Sequence, residues 1–257
     1  TNIAFNIANQ LNNNKISSIS KNGKVLFYSL EMSSEQLATR IVSEVSEIPS
    51  EKIRTGNITK SDFSKVVKSS DAISNLNLFI DDSPALTVAS IRTRARRLKR
   101  KEGLDLIIID YLQLINSSST NSNDNRVKEV SDITRGLKAI AKELNIPVIA
   151  LSQLSRKVED REEKRPQLSD LRESGAIEQD ADLVIFLYRE EYYLARSEPT
   201  EGTEKHDAWV LKMSEIHNIA EAIIAKHRHG PISKVKLHFN ASSTKFSDYA
   251  QNSPYSS

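Results

Sequence analysis

The chain has 257 residues, 38% hydrophobic and 27% charged, ordinary for a soluble protein with room for one large α/β domain. It contains no cysteine, which excludes disulfides, thiol-zinc sites and cysteine catalysis, and its formal net charge of +2 is too small to argue for nucleic acid by itself. No stretch approaches the ~18 consecutive apolar residues of a membrane span, and the N-terminus lacks a signal-peptide layout, so a cytoplasmic protein without membrane contact is expected.

In chain order, Ile3, Ile7 and Leu11 recur at helical spacing, so the chain opens inside a helix. Val25–Leu30 is a short strand-type run, and Ser33 is placed to cap a helix carrying Leu37, Ile41 and Val45. Leu76–Ile80 is a second strand, and Thr87 starts a very basic helix. Leu106–Ile109 is a third strand, followed by a Ser/Asn-rich loop at 116–125. Val127, Val130, Leu137, Ala141 and Leu144 mark a long amphipathic helix. Pro147–Leu151 and Leu183–Leu187 read as the fourth and fifth strands. The polar stretch 189–208 reads as irregular, and Ala222–Lys226 with Val235–Phe239 as a hairpin around His229-Gly230-Pro231. One domain over 1–243 with a disordered tail at 244–257 is the expectation. Alternating strands and helices point to a mostly parallel sheet.

In open α/β sheets, ligands sit beyond the carboxyl ends of the strands. Three apolar runs here end in a chemically suggestive residue: Glu31, Asp110 and Gln153. Leu106–Ile109 followed by Asp110 is the Walker B pattern, a buried strand that delivers a carboxylate toward a Mg²⁺-nucleotide. Mg²⁺ keeps several waters and takes one or two protein carboxylates, so a single Asp suffices. Glu31 can polarise an attacking water as general base. Gln153 can hydrogen-bond that water or a γ-phosphate without adding charge.

These residues carry a family resemblance. The runs Leu26–Ser33, Ile109–Leu114, Ala150–Arg156, Leu168–Asp182 and Ile224–Pro231 resemble, in order, motifs of the bacterial DnaB-type replicative helicases. The most specific is Leu168-Ser169-Asp170-Leu171-Arg172-Glu173-Ser174-Gly175-Ala176-Ile177-Glu178-Gln179-Asp180-Ala181-Asp182. The resemblance implies an α/β RecA-like P-loop NTPase core, its mostly parallel sheet flanked by helices, with a C-terminal antiparallel hairpin. It implies an ATP- and Mg²⁺-dependent homohexameric motor that moves 5′ to 3′ on single-stranded DNA, unwinds the replication fork and works with a primase and a helicase loader. By the same resemblance, Glu31 is the catalytic base, Asp110 holds the Mg²⁺ shell, and Gln153 couples the γ-phosphate to DNA contact. Lys226 and Arg228 match a pair that reaches into the neighbouring subunit's nucleotide. Residues two apart on a strand face the same way, so both cations are expected to project together. An arginine finger accelerates hydrolysis strongly only in a desolvated site, which a partner subunit would complete.

The segment around Arg172, Glu173 and Gly175 is implied to grip the DNA backbone, with Arg172 supplying charge and Gly175 letting a backbone N–H approach on a loop. Such contacts hold a strand without reading its sequence. Arg126 and Lys128 are weaker candidates for a second DNA-facing loop. The basic helix, with Arg92, Arg94, Arg96, Arg97, Lys99, Arg100 and Lys101 mainly outward, reads as a solvated face rather than a DNA site. His227 and His229 lack a third ligand at metal spacing.

One departure from the family pattern matters. The glycine-rich turn and Lys-Ser/Thr that cradle phosphates are absent from these residues. Asn2–Ala8 resembles the helix directly after that loop, which makes Thr1 the expected Mg²⁺-binding hydroxyl residue, with the glycines and lysine upstream. The chain as written is expected to bind ATP poorly and to be inactive alone. Two rivals share part of the pattern: a RecA/RadA-type recombination ATPase, which should lack the Arg172–Asp182 segment, and a truncated non-catalytic fragment that only binds DNA or assembles.

Overall fold

The computed structural model describes residues 23–116, 126–171 and 175–249. In chain order the elements are β1 (Val25–Ser29), α1 (Ser34–Ser46), α2 (Ser50–Thr55), α3 (Lys60–Ser74), β2 (Leu78–Asp81), α4 (Val88–Lys101), β3 (Leu106–Asp110), α5 (Arg126–Leu144) and β4 (Val148–Ala150). They continue with α6 (Lys157–Asp160), α7 (Gly175–Asp180), β5 (Leu183–Tyr188), α8 (Glu190–Leu194), α9 (Glu204–Ile216), β6 (Ile219–His227), β7 (Ser233–Asn240) and β8 (Lys245–Asp248). The chain divides into two compact units, Thr1–Leu154 with Leu171–Ala181, and Ser155–Asp170 with Asp182–Ser257. No helix among the described residues is long and apolar enough to cross a membrane.

The first unit is built on a parallel sheet of order β2-β1-β3-β4. Alternate side chains of a strand face opposite sides, and here both sides are covered, which is why β1 and β3 read as continuous apolar runs. Leu26, Tyr28, Ile107 and Ile109 pack with Ile91 and Ala95 of α4 and Ile133, Leu137 and Ile140 of α5. Val25, Phe27, Leu106 and Ile108 pack on the other side with Leu37 and Ile41 of α1. The helices start where capping chemistry dictates. Ser33 and Thr87 both accept from the backbone N–H three residues on and close capping boxes, as does Thr59 ahead of α3.

The second unit holds an antiparallel sheet of order β5-β6-β7-β8. The hairpin appears as β6 and β7, longer than the expected runs. Leu183–Leu187 lies in β5 as expected, and it pairs antiparallel with β6. Two readings are corrected. The stretch read as irregular contains α8 and the start of α9, capped by Thr203. The apolar residues on the less exposed face of α9, Trp209, Met213 and Ile216, lie beyond the stretch read as irregular. The expected disordered tail begins instead with β8, where Phe246 packs against Phe239 of β7.

Candidate functional site

Strands β1, β3 and β4 are neighbours and parallel, so their carboxyl ends open on one rim of the first unit. Ser29 pairs with Asp110 across β1 and β3, and the Leu30 N–H donates to the Asp110 carbonyl at 2.8 Å. Glu31 follows directly. There the Ser29 hydroxyl donates to the Met32 carbonyl at 2.7 Å and turns the chain into the Ser33 cap, leaving Glu31 exposed. Asp110 ends β3 and is half-buried. On the other side, the Leu151 N–H donates to the Ile109 carbonyl at 2.9 Å, and the Leu112 N–H to the Leu151 carbonyl at 2.9 Å. Gln153, two residues further, is exposed. The three residues singled out from strand ends thus share one rim.

The donor set suits Mg²⁺-nucleotide chemistry in a limited sense. Asp110 is one carboxylate on a rigid strand end, the supply Mg²⁺ asks of a protein when phosphates and water complete its shell. Among the described residues no three His, Asp or Glu side chains gather as a metal cage. Thr1, Arg172 and Glu173 lie outside the described residues.

The remaining expected site residues are placed differently from one another. Gly175 is not on a loop but is the first residue of α7, and a Cβ added there meets nothing within 4 Å. The described surroundings therefore impose no close approach at this glycine. Arg126 turns into its own unit, donating from Nη2 to the Gln113 carbonyl at 2.6 Å and lying 3.1 Å from Glu129 Oε2. Lys226 belongs to β6 in the second unit, whereas Arg228 falls one residue beyond that strand. Lys226 pairs with Val184 of β5. Arg228 is instead held locally: its N–H donates to the Asp182 carbonyl at 2.8 Å and Nη1 lies 2.7 Å from Asp182 Oδ1.

Sequence reasoning missed a role for Gln113. It sits in a 3-10 turn after β3 with its amide against Ser152 and Gln153. Its place within the Ile109–Leu114 motif was the available signal.

Comparison with known proteins adds the family. The sequence matches the DnaB-like helicase C terminal domain over residues 1–248. It is 55% identical over 250 residues to the replicative DNA helicase DnaB of Rickettsia conorii, covering 96% of this chain and 50% of that protein. It is 46% identical over 245 residues to replicative DNA helicase DnaB of Geobacillus stearothermophilus, covering 95% and 48%. The chain thus spans about half the length of these relatives. Among solved structures, a DnaB-like replicative helicase described with its interactions with primase superposes with a TM-score of 0.82 at 37% identity, over 97% of this chain and 54% of that one. A second solved structure, described as an ATPase domain, gives 0.80 at 37% identity, over 96% and 79%.

Proposed function

The chain belongs to the DnaB-like helicase C-terminal domain family, and from that premise we propose that it is the ATP-hydrolysing motor of a hexameric replicative DNA helicase. The observation that carries the reading is the shared rim: Glu31, Asp110 and Gln153 stand at the carboxyl ends of three adjacent parallel strands. Bound Mg²⁺-ATP supplies the scissile phosphoanhydride and the charge that the site must manage. Asp110, fixed by β3, would hold the Mg²⁺ through its carboxylate. Glu31 accepts the proton of the attacking water at its carboxylate. Gln153 hydrogen-bonds the γ-phosphate or that water through its neutral amide, so its contact is made or lost without a change of charge. Thr1 would add a hydroxyl to the Mg²⁺ shell.

Lys226 and Arg228 reach the nucleotide of a neighbouring subunit in this reading, which makes the ring a condition of hydrolysis. Arg172, Glu173 and Gly175, with Arg126 as a weaker candidate, contact single-stranded DNA, along which the motor moves 5′ to 3′. A primase and a helicase loader are the further partners, and the cytoplasm the setting. The relatives' names and the primase interactions described for one structural neighbour support this reading. A recombination ATPase is less favoured, because the family match includes the Arg172–Asp182 segment.

The test is Glu31→Gln in a polypeptide carrying the upstream phosphate loop. Nucleotide affinity should stay within about twofold while turnover falls by at least ~10²-fold, the usual scale of general-base catalysis. Turnover within a few-fold of the parent would remove Glu31 as the base and the rim as the site.

A further inference from the structure

Gln113 occupies the turn between Asp110 and the start of α5, and its side-chain amide works at both ends. Nε2 donates to Ser152 Oγ at 2.9 Å and to the Gln153 carbonyl at 3.4 Å, while Oε1 accepts from the Gln153 N–H at 3.2 Å. At Gln153 the ladder of β4 has already ended, since that strand stops at Ala150. The amide of Gln113 therefore takes the place of a strand partner, satisfying a donor and an acceptor of one peptide segment together. Gln113 is itself secured. Arg126, the first residue of α5, donates to its carbonyl at 2.6 Å, a charge-assisted bond stronger than a neutral one. Glu129, one turn along α5, lies 3.1 Å from the same guanidinium and orients it.

We infer that Gln113 is a positioning residue for Gln153, and that Arg126 braces it from α5. The inference rests on the reading of Gln153 as the group that meets phosphate or attacking water. Gln153 is exposed and lies past the end of its strand, so the strand ladder does not fix its backbone. A bracket on both sides of that residue sets the origin from which its side chain reaches. Misplacement of such a group by as much as an ångström can cost up to ~10²-fold in rate, and a smaller shift correspondingly less. The arrangement also gives Arg126 a task inside the protein, besides the DNA contact proposed for it.

The test uses the full-length, ring-forming protein. Gln113→Met keeps side-chain length and removes both ends of the bracket. Its kcat on single-stranded DNA should fall about tenfold, with nucleotide affinity, read by a fluorescent ATP analogue, within about twofold. Ser152→Ala should move kcat in the same direction by less, and adding it to Gln113→Met should lower kcat no further, since one link is broken by both. Arg126→Met should show the same split between kcat and affinity. Should Gln113→Met fail to fold, Gln113→Glu keeps the acceptor for the Gln153 N–H and should give a smaller fall. Unchanged kcat in Gln113→Met, equal losses of kcat and affinity, or additive effects of Gln113→Met and Ser152→Ala would overturn the bracket. Glu31→Gln run alongside separates the two ideas. If it abolishes turnover while Gln113→Met is normal, only the bracket fails; if it turns over normally, the site reading itself fails.

Discussion

At the scale of single residues, Glu221 on β6 shows how the second unit holds its long connection in place. Arg165, in the stretch between α6 and α7, meets it with Nε at 3.1 Å and Nη2 at 2.8 Å, a bidentate pair, and lies 4.9 Å from the centre of the Tyr188 ring. The Arg165 hydrogen bond holds the Glu221 carboxyl below the ordinary glutamate value, against a burial that raises it. A carboxyl whose folded pKa is depressed adds stability above its unfolded pKa, about 4.3, and loses it as pH falls through the lower folded value. Glu221→Gln should therefore destabilise the protein by on the order of 1 kcal/mol at pH 7. That gap should narrow as pH falls from the unfolded value through the lower folded one, where the parent loses the same interaction. Denaturant melts at neutral and acid pH measure it, and a gap that does not change with pH would contradict the assignment. Asp81 on β2 is lowered too: its burial works the other way, but hydrogen bonds from Arg94 and Ser83 outweigh it.

At the scale of elements, the basic face of α4 has a use that charge counting does not suggest. Arg92 and Arg96 both meet Glu143 on α5, Arg94 meets Asp81 and Ser83 beyond the N-terminus of α4, and Lys99 donates to the Leu144 carbonyl at the end of α5. The arginine side chains are about half exposed, from 44% to 54%, so these pairs add little to stability, and their effect is to orient α4 on its neighbours. Apolar packing supplies the larger share. Gly136 of α5 lies against Val88 at the start of α4, and a Cβ there would stand 2.5 Å from Val88 Cγ1. Replacing glycine by alanine in a helix gains up to ~1 kcal/mol of propensity, whereas overpacking costs about 1–3 kcal/mol. Valine has no long arm to swing away, so the clash wins. Gly136→Ala should lower Tm by a few degrees, roughly 2–4 °C per kcal/mol for a chain of this size. A raised Tm would mean α4 and α5 part without cost.

At the scale of the whole molecule, the proposed ring separates folding from activity. Arg228 and Asp182 form an exposed pair, with side chains 45% and 54% accessible, so Arg228→Ala should cost the isolated subunit less than ~1 kcal/mol. In assembled rings the same change should cut hydrolysis by ~10³-fold or more if Arg228 completes a neighbour's site. Parallel measurement of thermal melts and ring ATPase checks both halves, and undiminished ring ATPase would remove the finger. Much of this was legible in one dimension. Ser33 and Thr87 announced their helices because a cap is local chemistry, and the runs ending near Glu31, Asp110 and Gln153 were visible because strands buried on both faces must be apolar throughout. The family motifs extended that reading to a function. Local order along the chain thus set the identity of the elements and the residue types at their ends, since these follow from contacts within a few positions. The tertiary structure alone decided which strand lies beside which, the division into two units, the capture of Arg126 and Arg228 by neighbours, and the bracket of Gln113 around Gln153. Gln113 and Gln153 are 40 positions apart, and Arg165 and Glu221 56 apart. No local periodicity encodes such meetings, because the backbone between them must fold before the partners share a neighbourhood.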